Sequence, residues 1–83
     1  TAAIEWAEEA HEAEPKRRDV ALLLAGLLTA NKSYVKAEEI YKKLIKQDKE
    51  DTEAMLYLGA VYTELKNYPK AVTAFKNLTQ IKN

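Results

Sequence analysis

Residues 55–75 read MLYLGAVYTELKNYPKAVTAF, and residues 21–41 read ALLLAGLLTANKSYVKAEEIY. Slid by 34 positions the two segments superpose. Leu24 falls on Leu58, Ala25 on Gly59, Leu28 on Tyr62, Tyr34 on Tyr68, Ala37 on Ala71 and Tyr41 on Phe75, with Leu44 on Leu78 just beyond. Internal repetition outranks local signals, because one repeat cannot bury its own apolar face and must stack on a copy.

Within each copy the period is helical. Over 19–30, Val20, Leu23, Leu24, Leu27 and Leu28 recur at three- and four-residue steps, which predicts a broad apolar helix face. Asn31-Lys32-Ser33 reads as a tight turn with Ser33 capping the next helix. That helix covers 34–47, with Ala37, Ile40, Tyr41, Leu44 and Ile45 on one side. Lys36, Glu39, Lys42, Lys43 and Lys46 take the other, where Glu38–Lys42 and Glu39–Lys43 pair at helical spacing. After the polar break at Asp48-Lys49-Glu50-Asp51 a third helix is expected over 52–65. Lys66-Asn67 forms the second turn, and Pro69 sits in the first turn of the last helix, where its missing N–H costs little. A further helix over 2–14, ended by Pro15, carries Ala3, Trp6, Ala7, Ala10 and Ala13 as its inward stripe. Short connections make successive helices antiparallel neighbours.

The same residues resemble the tetratricopeptide repeat family, whose pattern is W-x₂-L-G-x₂-Y…A-x₃-F…P at this period. One copy reads Met55-x₂-Leu58-Gly59-x₂-Tyr62 then Ala71-x₃-Phe75; the other reads Ala21-x₂-Leu24-Ala25-x₂-Leu28 then Ala37-x₃-Tyr41. Both lack the opening Trp, and Lys49 and Asn83 replace the closing Pro, which Pro15 supplies after the first helix. The resemblance implies an all-α helical-hairpin solenoid, a right-handed superhelix. Its five antiparallel helices form a single domain over 1–83: an orphan second helix (1–15) and full repeats at 18–51 and 52–83. It also implies a piece of a longer array whose open ends leave Val72, Thr79 and Ile81 exposed. Small Gly59 and Ala25 mark hairpin crossings faced by Ala71 and Ala37, while Tyr41 and Phe75 fill the wedge toward the next repeat.

Thirteen Lys and Arg balance thirteen Asp and Glu. Residues 1–15 hold five acids and no Lys or Arg, and 16–50 hold nine bases against five acids. Zero net charge argues against nucleic acid, which demands a concentrated basic face; Lys42, Lys43, Lys46 and Lys49 are interleaved with Glu38, Glu39 and Glu50. The longest apolar run, 20–28, is too short for a bilayer span, so no membrane partner is expected. His11, flanked by Glu8 and Glu12, reads as part of a solvated acidic face rather than a metal site. No nucleophile stands at a motif spacing from a base, and neither an enzyme nor a cofactor is expected.

Function is read from the inner face that the resemblance assigns to the first helix of each hairpin. Its positions are Asp19, Leu22, Leu23, Gly26, Thr29 and Ala30, then Glu53, Leu56, Tyr57, Ala60, Thr63 and Glu64. Some family members clamp a chaperone's acidic C-terminus there with Lys, Asn and Arg. Here the matching positions are Leu22, Gly26, Leu56, Tyr57 and Ala60, with no cation for a carboxylate. The expectation is an adaptor or scaffold module that docks a protein segment, helical or extended, with apolar anchors and basic flanks. The competing expectation is a structural spacer that associates with copies of itself through its open ends.

Overall fold

The computed structural model describes residues 2–81, the side chain of Ile81 excepted. Five helices follow one another: α1 (Ala2–Ala13), α2 (Arg18–Ala30), α3 (Tyr34–Gln47), α4 (Thr52–Glu64) and α5 (Tyr68–Ile81). No strand occurs among the described residues. The substantial contacts run between successive helices, giving a flat stack of 37 × 25 × 13 Å. The chain is all-α and built of helical hairpins, as its periodicity requires.

One apolar seam runs through the stack. Ala21, Leu24, Ala25 and Leu28 of α2 meet Ala37, Tyr41 and Leu44 of α3, and Ala54, Leu58, Val61 and Tyr62 of α4 meet Ala71 and Ala74 of α5. Small residues occupy the crossings, letting backbones approach closely. Tyr41 fills the wedge before the next hairpin, its ring 5.8 Å from that of Tyr57. Phe75 departs from its expected role. Its ring lies over Gly59 of its own hairpin, where an added Cβ would sit 2.6 Å from Phe75 Cε1, and its outer edge is exposed.

The inward face of α1 also differs from the expected stripe. Ile4 and Ala7 are buried, Ala10 and His11 are partly covered, and Ala3, Trp6 and Ala13 are exposed. Alanines at 2, 3, 7, 10 and 13 leave the helix with several almost equivalent apolar registers. The branched Ile4 side chain fits against α2 better than the bulky indole and decides among them. His11 accordingly leaves the solvated acidic face: it lines a small cavity with Ala21 of α2 and Ile40 of α3, and its Nδ1 is buried.

Ser33 occupies the N-cap of α3, but its side chain makes no capping hydrogen bond; Asn31 Nδ2 donates to its Oγ instead. The turns are held from the other side. Ser33 N–H donates to Leu28 O and Lys32 N–H to Thr29 O, and one repeat later Asn67 N–H donates to Tyr62 O and Lys66 N–H to Thr63 O. These bonds close Schellman motifs around Lys32 (φ 65°) and Lys66 (φ 62°). A side chain in that left-handed region crowds the following carbonyl, a cost glycine escapes. Lys66→Gly is therefore expected to raise the thermal midpoint, with a gain of about 1 kcal/mol after the added unfolded-state freedom is subtracted. An unchanged or lower midpoint in a calorimetric scan counts against this reading of the turn.

Candidate functional site

Because α2 and α4 are separated by the whole of α3, they lie side by side on one flank of the stack. Between them opens a hollow of about 440 Å³ lined by Leu22, Leu23, Gly26, Thr29, Tyr41, Glu53, Tyr57, Ala60 and Val61. Seven inner-face residues named from sequence converge here: Leu22, Leu23, Gly26, Thr29, Glu53, Tyr57 and Ala60. The other five do not line it. Asp19 is turned to Arg17, Ala30 joins Ile4 and Leu27 at a shallower depression, and Leu56, Thr63 and Glu64 lie exposed beside the hollow. Each helix turn rotates a residue by a fixed angle, so a three-turn inner face is wider than the concavity it borders.

Two lining residues come from outside that face. Tyr41 reaches the floor from α3, and Val61 from the buried side of α4. The spacing of Tyr41 reveals a core position; that its ring also borders the hollow follows only from the angle at which the hairpins stack. Burial pushes the Tyr41 phenol above its ordinary value, with hydrogen bonding to Thr29 acting in the opposite sense. Thr29 Oγ1 donates to Ala25 O, and Thr63 Oγ1 repeats this on Gly59 O, so both hydroxyl protons are engaged within their own helices.

The floor is open above Gly26, where an added Cβ would meet nothing within 4 Å. A glycine inside a helix with free space around it is a pure backbone liability. Gly26→Ala should stabilise the fold by about 0.5–1 kcal/mol, read as a higher denaturant midpoint with an unchanged slope. A loss of stability would mean the open floor is not what it looks like.

The rim at the N-terminal ends of α2 and α4 is a network of ion pairs. Arg18 grips Asp51 through Nε–Oδ2 at 2.9 Å and Nη2–Oδ1 at 2.7 Å, and its Nη2 also donates to Glu53 Oε1 at 2.8 Å. Arg17 is paired with Asp19. Two of the three rim acids, Asp19 and Glu53, are thus answered by arginines of the same chain, which leaves Glu64 at the far end without an ion-pair partner among the described residues. On the opposite flank Lys42 pairs with Glu38 at 2.9 Å, while Glu39 and Lys43 form no such pair. No three His, Asp or Glu side chains converge on a metal-sized site among the described residues, and no described helix is long and apolar enough to cross a membrane.

Stacked helical hairpins, a residue pattern at tetratricopeptide spacing and an open inner flank define a repeat-type interaction module. Residues 1–78 match the family described as anaphase-promoting complex, cyclosome, subunit 3. The chain belongs to this family of tetratricopeptide-type repeats, a class of protein–protein interaction modules that is generally non-enzymatic. A comparison with curated proteins finds no match.

Proposed function

We propose that the hollow between α2 and α4 docks a segment of a partner protein. Leu22, Leu23, Tyr57 and Ala60 take its apolar anchors, and Glu64 attracts a basic flank. The observation that carries this reading is the exposure of large apolar groups where they surround a concavity: Leu23 and Tyr57 are 46% and 41% exposed around the open floor at Gly26. Aromatic and aliphatic side chains that line a pocket supply most of the energy of a typical interface. With Asp19 and Glu53 already paired, charge steers this contact weakly and apolar burial drives it. Residues 18–51 and 52–83 act as the two repeats that build the hollow, and 1–15 as the second helix of an earlier one.

Peptide display against the whole chain tests this, repeated with Tyr57→Lys. Tyr57 is half exposed, so the substitution leaves the fold intact while placing a charge beside the floor. Enriched peptides should carry apolar residues and be lost on substitution. No enrichment at all would favour a spacer whose repeats only join other structural elements.

A further inference from the structure

Two apolar faces remain exposed at opposite ends of the stack, and their charges are complementary. On α1, Ala2, Ala3, Trp6, Ala10 and Ala13 share one side by helical spacing, and Trp6 is 58% exposed. Glu5, Glu9 and Glu12 flank that side, and α1 contains no Lys or Arg. On α5, Tyr68, Val72, Phe75 and Thr79 share one side, with Val72 63% exposed. Lys76 flanks it, and α5 contains no Asp or Glu. One face offers a large indole among small residues beside acids; the other offers branched and aromatic groups beside a base.

The geometry points to head-to-tail association with a second copy of this chain, in which the Trp6 face of α1 in one molecule seats on the Tyr68–Val72–Phe75 face of α5 in the next. The contact is heterologous, so each docked copy presents a fresh face and growth does not stop at a dimer. Charge fixes the polarity: α1 against α1 sets acid on acid, α5 against α5 sets lysine on lysine, and only α1 against α5 sets opposite signs together. Both charged edges are solvent-exposed, so added salt weakens the contact. The proposal is independent of the hollow, which lies on the flank between the ends.

Trp6 is the sole tryptophan, so its emission reports the contact directly. Light scattering and fluorescence are followed from micromolar to millimolar chain, at low and high salt. The expected result is a mass that passes that of a dimer with a blue shift of the emission, both reduced by salt. Trp6→Ala and Val72→Glu alter exposed side chains and should each stay monomeric alone, with helical circular dichroism unchanged. Mixed, they should form a capped dimer, because the intact α5 of the first receives the intact Trp6 of the second, and the emission should shift blue. Lys76→Glu in the wild-type background should reduce association as high salt does. A mass and emission flat across concentration, a mixture that stays monomeric, or either single variant still pairing with itself would overturn the proposal.

Discussion

Asp51→Ala is expected to destabilise the chain by about 2–3 kcal/mol, roughly 10 °C or more in the thermal midpoint of a domain this size. Two losses combine. The Asp51 carboxylate is the N-cap of α4, accepting from Ala54 N–H at 3.1 Å, and such caps contribute about 1 kcal/mol. It also holds the Arg18 guanidinium from the start of α2, and its side chain is only 3% exposed. Removing it leaves Arg18 with Glu53 alone and opens a polar gap between consecutive repeats. Arg18 is half exposed, so water screens part of the lost attraction and keeps the total below that of a fully buried pair. Asp51→Asn separates the contributions: an amide oxygen still caps α4, the charge is gone, and about half the loss should remain. Equal midpoints for wild type and Asp51→Ala would show that the clasp contributes nothing to the fold.

The clasp also sets an acid limit. The Arg18 hydrogen bonds, opposed by burial and aided by the Ala54 N–H, hold the Asp51 carboxyl below the ordinary aspartate value. The folded form therefore binds a proton less readily than the unfolded chain, and the stabilisation is fully present above the unfolded value. It fades as pH falls through the carboxylate range toward the lower folded value. Arg18 stays charged throughout. Wild type should lose stability on acidification below about pH 4, and Asp51→Asn should show a shallower acid limb. Parallel curves would place the titrating group elsewhere.

The parts of the fold that repeat were legible, and the parts that occur once were not. Leu24 and Leu58, Ala37 and Ala71, or Tyr41 and Phe75 announce themselves twice, so the helices, the turns and the antiparallel order follow from register alone. Lys32 and Lys66 also stand in register. Neither suggests a left-handed residue by type, yet their recurrence just past the ends of α2 and α4 was a usable sign of a C-terminal cap. The Arg18–Asp51 clasp left no trace: its partners are 33 residues apart, and the equivalent of Asp51 in the first repeat is Arg17, which forms no side-chain cap. Seven inner-face residues were recoverable because helical spacing fixes their direction. Tyr41, Val61 and the outward turn of Trp6 depended on how neighbouring helices are rotated, which spacing within one helix does not encode.

Gly59→Leu is expected to cost about 1–3 kcal/mol, the usual penalty of overpacking. At Gly59 an added Cβ meets Phe75 Cε1 and Cζ at 2.6 Å and Cδ1 at 3.0 Å, whereas nothing approaches Gly26. Two glycines inside equivalent helices therefore oppose each other in sign. The outcome at Gly59 turns on whether the ring can leave. Phe75 belongs to α5 and is 38% exposed, so a methyl group can displace it outward, and Gly59→Ala recovers up to about 1 kcal/mol of helix propensity against that shift. Leucine cannot be accommodated this way, since its branch occupies the space between α4 and α5 that brings Ala71 and Ala74 into contact with Leu58 and Tyr62. A near-neutral alanine with a damaging leucine is the expected pair of melts. A leucine variant as stable as wild type would mean that α5 is free to ride outward, and that the close crossing at Gly59 is not what holds the last hairpin together.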